Sequence, residues 1–337
     1  MSTADISPRE SGPQHQLLEG ELGLDSTPVP GTSPGAGSRV PTGRPDRPSV
    51  VTARQLRRSA AARKGRYAAV KLWLGIACTA VVVVPVALAR WLPVGDPTKT
   101  NLRTSMLPPL SPGFLFGTDK NGRDLLARVL YGGQTSLLIG ILAIVVSGIV
   151  GICAGALAGY AGGWVDTIVS RLLEAQLALP LLLMLLLVVA LFGPSIPVIT
   201  AVIAFAQWPE PARITRALVL VEREKPYVAS ARVLGLGRIA IILRHIIPNI
   251  LSQALVVVFL LLAQAVLLES SLSFLGAGVQ RPYPTWGGII ADGQGQVVLG
   301  GWWLVTIPGL VIALLVIGVN LIGDGLRDRT RRRKVSA

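Results

Sequence analysis

Residues 227–249, YVASARVLGLGRIAIILRHIIPN, are basic and glycine-punctuated but lie between two long apolar runs. Pro226 suits the first turn of a helix, because its missing N–H would have no partner there. Tyr227, Ala231 and Leu234 then recur at spacings of four and three residues, which places them on one apolar helix face. The segment therefore predicts a short helix that begins at Pro226, and we call residues 227–249 the elbow.

Two glycines are expected to end this short helix. Glycine adopts the left-handed conformation at a helix C-terminus without steric penalty, so Gly235 and Gly237 would stop the helix and let a second one leave at a new angle. Before them, the small side chains of Ala229, Ser230 and Ala231 would allow close approach to a groove on another protein. The elbow therefore predicts a docking partner.

The composition is that of an integral membrane protein. The 337 residues have a mean hydropathy of +0.58 and only 15% of them are charged. The net charge of +14 does not indicate nucleic-acid binding, because the basic residues flank apolar runs instead of forming one surface. Cys78 and Cys153 lie inside apolar runs, so neither a disulfide framework nor a metal site is indicated.

Six membrane spans are predicted, with both termini in the cytoplasm and the elbow as a cytoplasmic helical segment between spans four and five. Span four is short before Pro209 and is expected to continue, kinked, toward Val221. The clustered arginines before span one and after span six place both ends inside. The predicted spans are residues 70–89, 136–161, 168–192, 195–221, 246–268 and 302–322.

Four regions follow from this layout. Residues 1–69 are predicted to be a disordered basic tail, since their first 50 are rich in Pro, Gly, Ser and Thr, and its arginines would contact anionic lipid. Residues 70–133 hold the first span, an outer loop and an interfacial helix. Residues 134–324 form a five-span core that includes a loop over 222–249, and residues 325–337 form a second basic tail.

The outer loop contains the stretch PGFLFGTDKNGRDLLARVLYG at residues 112–132. Gly117 and Gly122 would shape a turn, and Asp119 and Asp124 offer oxygens that cap a helix. That helix, over residues 125–130, is amphipathic and suits the membrane interface. A metal or acid–base role for the two carboxylates is the weaker alternative, because no histidine or further ligand joins them.

Two features of the spans carry packing predictions. Gly151, Gly155 and Gly159 lie on one face of span two, where small residues let helices pack closely in lipid. Arg171 and Glu174 are three residues apart in span three and are expected to pair with each other. Ionisable groups are otherwise sparse in the spans, which suggests a passage lined by apolar, amide and backbone groups.

Three stretches resemble the permeases of ABC importers, in particular the dipeptide, oligopeptide and nickel branch. The elbow has that family's small residues, a glycine four positions on and a proline thirteen after it, although Ala229 stands in place of an acid and Ser230 in place of an alanine. The other two are residues 112–132 and 269–293. The resemblance implies an ATPase-coupling loop with Tyr227, Ala229, Ser230, Ala231, Arg232, Gly235, Arg244, His245 and Pro248, and an outer-loop motif with Gly117, Thr118, Asp119, Gly122, Arg123 and Asp124.

The resemblance also implies partners and a location. It implies a peptide importer in a bacterial inner membrane, built with a second homologous permease, two ATPase domains or subunits and an extracytoplasmic solute-binding protein. The alternatives are the same architecture importing nickel or another small solute, and a passive channel or scaffold. The sequence holds no Gly-x-x-x-x-Gly-Lys-Ser/Thr loop, so ATP would be bound by the partners, and the chain is expected to carry no cofactor and to be no enzyme.

Overall fold

A computed structural model describes residues 50–336, and within this range the chain is built from α-helices, with no β-strand beyond two isolated bridges. This confirms the all-α class. The helices are α1 (Val50–Ala87), α2 (Leu125–Ala161), α3 (Gly163–Leu177), α4 (Leu181–Phe192), α5 (Ile196–Gln207), α6 (Pro209–Glu222), α7 (Pro226–Val233), α8 (Arg238–Ile241), α9 (Ile247–Phe274), α10 (Trp286–Gly293) and α11 (Trp303–Ser336).

The N-terminal tail predicted over residues 1–69 lies largely outside the described residues. Residues 50–69, however, are the first part of α1 instead of a disordered segment. Alanine and arginine make up eleven of these twenty residues, and both have high helix propensity. The first predicted span, 70–89, agrees closely with the apolar part of α1, Ala69–Ala87.

In the part of the chain that the structure describes, four helical segments are long and apolar enough to cross a membrane: Ala69–Ala87, Leu125–Ala161, Arg238–Phe274 and Trp303–Asp328. The pair α3 and α4 would add a fifth if it is counted as one span. The prediction of a multi-span helical protein is thereby confirmed. The count of six is not, because α5 and α6 are each shorter than the roughly 20 residues that a span requires.

The third predicted span, 168–192, is broken. Helices α3 and α4 meet at an angle of 89° across residues 178–180. Pro180 explains the break, because its ring lacks an N–H and disfavours the helical conformation at Leu179. The expected pair is present on α3, where Arg171 Nη1 lies 3.0 Å from Glu174 Oε2.

Helices α2, α6 and α9 form the centre of the membrane region. The glycine face predicted for span two is confirmed: a Cβ at Gly155 would lie 2.3 Å from the Ala212 carbonyl oxygen, and one at Gly159 would lie 2.8 Å from that of Arg216. The α2 backbone therefore packs directly on α6, an approach that only glycine permits. Nearer the start of α2, Gly148 lies on the same face and meets Val258 of α9.

Two predicted boundaries change. Residues 125–130, predicted as a separate interfacial helix, are the first turns of α2, and Leu125, Ala127 and Val129 are buried. The fifth span, predicted over 246–268, belongs to a helical run from Arg238 to Phe274. Residue 269, expected to open an outer loop, therefore lies within a helix.

Candidate functional site

The elbow begins with a short helix that ends as predicted. Helix α7 has Pro226 in its first turn and is closed by Gly235, whose φ is +77°. The Leu236 N–H donates to the Ala231 carbonyl at 3.2 Å and the Gly235 N–H to that of Arg232 at 3.0 Å. This pair of bonds is a Schellman motif, which satisfies carbonyls at the helix end. Gly237 has a φ of −63°, so its predicted left-handed conformation is wrong.

Helix α7 has one buried face and one exposed face. Val228 and Ala231 are buried against a cluster that includes Ala156 of α2, Val219 of α6 and Ile246. The opposite face presents Ala229, Ser230, Val233 and Leu234, all of them exposed. The predicted apolar face is therefore divided, because Ala231 packs inward whereas Leu234 is 79% exposed.

Tyr227 holds one edge of α7. Its hydroxyl donates to Glu222 Oε1 at 2.6 Å and accepts from Asn249 Nδ2 at 3.0 Å. Glu222 is buried and also pairs with Lys225, whose Nζ lies 2.7 Å from Oε2. Burial, followed by the hydrogen bond to Glu222, raises the pKa of Tyr227 above its ordinary value, so the hydroxyl keeps its proton.

Arg232 holds the other edge of α7. Its guanidinium carbon lies 5.3 Å from the centre of the Tyr160 ring, at the end of α2, a distance typical of a cation–π contact. Its Nη2 donates to the Arg223 carbonyl at 3.5 Å. The contacts of Tyr227 and Arg232 fix the orientation of α7 about its own axis, so that its exposed face is directed away from the long helices.

The second half of the elbow is a distorted helical junction. Residues Ile242–Ile246 form a π-helical turn between α8 and α9, in which the Ile247 N–H bonds to the Ile242 carbonyl. Pro248 lies just beyond, and the wider turn relieves the clash of its ring with the preceding turn. Arg244 and Pro248 are exposed, whereas His245 is half-buried and its carbonyl accepts from Asn249 Nδ2 at 2.8 Å.

The outer-loop motif forms a tight turn, as predicted. Gly117 and Gly122 have φ angles of +78° and +69°. A Cβ at Gly122 would lie 1.8 Å from the Asn101 carbonyl oxygen, so only glycine fits there. Asp124 caps α2 by accepting from the Leu126 N–H at 3.0 Å. Thr118 is buried, and its hydroxyl donates to the Thr104 carbonyl at 2.5 Å.

Asp119 does not cap a helix, because its carboxylate is taken up by a buried ion cluster. One oxygen accepts from the N–H groups of Asn121 and Arg123 at 2.8 and 2.9 Å. The other lies 2.7 Å from Arg123 Nε and 2.6 Å from Arg128 Nη1. Arg128 continues to Asp292 of α10, where Nη2 to Oδ2 is 2.9 Å. We call Asp119, Arg123, Arg128 and Asp292 the ion cluster.

The charge of Asp292 is maintained by its neighbours. Burial alone would raise its pKa, but the hydrogen bond and charge of Arg128, followed by those of Arg281, outweigh burial. Its pKa therefore lies below the ordinary value, and the carboxylate stays ionised. The cluster joins the 117–124 turn to a helix that follows it by more than 160 residues.

The two predicted groups of residues lie at opposite ends of α2. The turn over residues 117–124, which we call the outer turn, contacts the first residues of α2 through Arg128. The elbow contacts Ala156 and Tyr160, near the last residues of α2. With 37 residues, α2 is about 55 Å long. The structure therefore brings the residues of each group together but keeps the groups apart.

Glu269 is a buried polar centre that the sequence reading missed. Its side chain is 0% exposed, and its two oxygens accept from Ser273 Oγ at 2.7 Å and from Ser136 Oγ at 2.9 Å. Ser136 in turn accepts from the Trp286 N–H at 3.2 Å. The spacing of Glu269 and Ser273, one helical turn apart, was the available signal, but the predicted end of span five concealed it.

Comparison with known proteins agrees with this architecture. The family described as "Binding-protein-dependent transport system inner membrane component" matches residues 151–335. A peptide transport system permease protein of Brucella suis biovar 1 is 40% identical over 281 residues, which cover 83% of this chain and 90% of that protein.

Two further relatives are permease proteins named DppC. The dipeptide transport system permease of Escherichia coli K12 is 41% identical over 260 residues, 76% of this chain and 86% of that protein. The di/tripeptide transport system permease of Pseudomonas aeruginosa is 38% identical over 259 residues, 75% of this chain and 85% of that protein. The predicted family is thereby confirmed, and the chain belongs to the inner-membrane permeases of binding-protein-dependent ABC importers, in the peptide branch.

Proposed function

We propose that this permease carries di- or oligopeptides inward along a path that it forms with a second, homologous permease. The names of its relatives supply the substrate class. An extracytoplasmic solute-binding protein would deliver the peptide, and two cytoplasmic ATPase domains or subunits would drive the cycle. The chain is a multi-pass protein of the bacterial inner membrane, and its own role is to supply the passage and transmit motion.

The observation that carries this proposal is the divided surface of α7. Its inner face is packed on the long helices and fixed at both edges, whereas its outer face presents Val233 at 87% and Leu234 at 79% exposure. A rigidly held helix with small and apolar side chains directed outward suits docking in a groove of another protein. We assign that groove to the ATPase, with the elbow in the cytoplasm and six spans between two cytoplasmic termini.

Docking can be tested by charge insertion on the exposed face. Val233→Asp should abolish co-purification of the ATPase with the permease, because a carboxylate would be buried without a partner in the groove. Val298→Asp is the matched control: Val298 is 92% exposed but lies between α10 and α11, away from the elbow. Equal ATPase recovery with both variants, at equal membrane abundance, would contradict the assignment.

The orientation is tested separately by cysteine labelling. In a background without Cys78 and Cys153, a cysteine replacing Gln280 should react with an impermeant thiol reagent added outside sealed cells. A cysteine replacing Ser230 should not react under these conditions. Labelling of the Ser230 position from outside would contradict a cytoplasmic elbow.

A further inference from the structure

A cleft of about 280 Å³ lies between α6, α9 and α11 and combines apolar with polar walls. Val257, Leu260 and Leu267 contribute apolar surface, and Glu210, Gln264 and Asn320 contribute polar groups. Asp324 and Arg327 of α11 complete the charged lining, so the two carboxylates exceed the single guanidinium by one negative charge.

Glu210 lies along the membrane-spanning helices. It follows Gln207 by one turn, and the Gln207 amide donates to the Leu261 carbonyl of α9 at 3.3 Å. Leu261 is 13 residues before the end of α9 at Phe274 and 14 after its start at Ile247. These separations correspond to about 20 and 21 Å along the helix axis. Glu210 is one turn nearer the elbow than Gln207, so it lies within the membrane-spanning helices but toward their elbow side, in the same cleft as Asp324 and Arg327.

This carboxylate is exposed and has no ion pair or hydrogen bond with the side chains that the structure describes, those of residues 67 and 69–328. Arg213, one turn further along α6, makes no ion pair with it. Gln264 and Asn320 are likewise exposed. A charged side chain facing hydrocarbon costs about 3 kcal/mol or more, so such groups line water-filled cavities or pair with one another. This face of the permease is therefore not directed toward lipid.

We infer that Glu210 lines the aqueous passage and binds the cationic group of the moving solute, an ammonium or guanidinium. The Gln264 and Asn320 amides can donate to and accept from peptide groups beside it. This inference rests on the proposed function and deepens it, since it adds a charged site to a passage expected to be lined only by apolar, amide and backbone groups. A cation of the second permease is the competing occupant.

The aqueous location can be tested without transport. In the assembled transporter lacking Cys78 and Cys153, cysteines replacing Gln264 and Asn320 should react with an impermeant thiosulfonate reagent faster than cysteines replacing Leu255 and Leu310. The two leucines are exposed apolar residues on the same helices, α9 and α11. Equal rates at all four positions would overturn the inference.

The cation site is tested by uptake in proteoliposomes that hold the complete transporter. Glu210→Gln should raise the KM for a lysine-containing tripeptide about fivefold relative to a glutamate-containing one, the equivalent of losing one solvated ion pair. Glu174→Gln is the control, because Glu174 is an exposed carboxylate on α3. Equal changes for both peptides, or weaker recovery of the second permease with Glu210→Gln, would overturn the cation site. Absence of ATP-dependent peptide uptake in the wild type would instead contradict the proposed function.

Discussion

The elbow and the outer turn both depend on glycines with positive φ, but their surroundings are opposite. A Cβ at Gly235 would meet nothing within 4 Å, whereas one at Gly122 would lie 1.8 Å from a carbonyl oxygen. The outer turn packs against the buried charges of the ion cluster, whereas in the elbow one face of α7 is exposed. The difference indicates that the outer turn supports the fold and that the elbow is built to meet another surface.

Of the substitutions considered, one in the ion cluster should lower the stability of the protein most. Asp119→Asn should lower the free energy of unfolding by about 3–5 kcal/mol, because the two buried guanidiniums of Arg123 and Arg128 would then share the single, less buried carboxylate of Asp292. Thermal unfolding of the purified protein in detergent measures this change. Asp96→Asn is the control, since Asp96 is exposed. Similar melting temperatures for the two variants would show that the cluster does not support the fold.

Gly122→Ala tests whether the outer turn requires close approach as well as a positive φ. It should cost more than the roughly 1–2 kcal/mol of the left-handed penalty, because the new Cβ must displace the Asn101 carbonyl. Gly113→Ala carries the penalty alone, since Gly113 has a φ of +85° and nothing within 4 Å. Thermal unfolding should rank the two variants in this order, and the reverse order would exclude the steric contribution.

Gly235→Val tests whether the elbow needs the left-handed conformation of Gly235 to dock its partner. It should cost only about 1–2 kcal/mol locally, because φ is positive but space is open. The variant should insert and assemble with the second permease but lose ATPase docking and peptide uptake together, since the exposed face of α7 tilts. Gly237→Val, at an ordinary φ of −63°, should retain docking. Uptake by Gly235→Val at the wild-type rate would show that the elbow does not transmit the ATP cycle.

The smallest expected change is in the pH dependence of stability that Asp292 contributes. Because its pKa in the folded protein lies below the ordinary value of 3.8, its stabilising contribution is complete above that pH and is lost as the pH falls through the lowered pKa. The contribution of this partly exposed group should be below about 1 kcal/mol. Asp292→Asn should therefore melt with a shallower decline below pH 4 than the wild type. Parallel declines would assign the acid sensitivity to other carboxylates.

The sequence predicted features that depend on nearby residues. Pro226 and Gly235 mark the two ends of α7 because their backbone preferences act locally, and the turn at Gly117 and Gly122 was found in the same way. The ion cluster could not be predicted fully, since Arg128 and Asp292 meet only after folding brings together residues 164 positions apart.

Other misses have specific causes. The bend at Pro180 was overlooked because the hydropathy of residues 168–192 is continuous across it, although a proline there carried the signal. Glu269 was expected in the outer loop because residues 269–293 resemble the loop between the last two spans of the permease family. Its burial depends on Ser136 of another helix, which hydropathy alone does not reveal. The division of α7 into two faces likewise depends on tertiary packing.

The contacts along α2 and the Arg238–Phe274 run have a mechanical consequence. Near one end Ala156 of α2 lies in one buried cluster with Ile246 and Ile250, near the other Ser136 donates to Glu269, and between them Gly148 lies against Val258. Because α2 and the Arg238–Phe274 run contact each other near both ends and in the middle, the two helices are expected to move together as one rigid unit. A displacement of the elbow would therefore be transmitted along both helices to their opposite ends, where Ser136 and Glu269 lie.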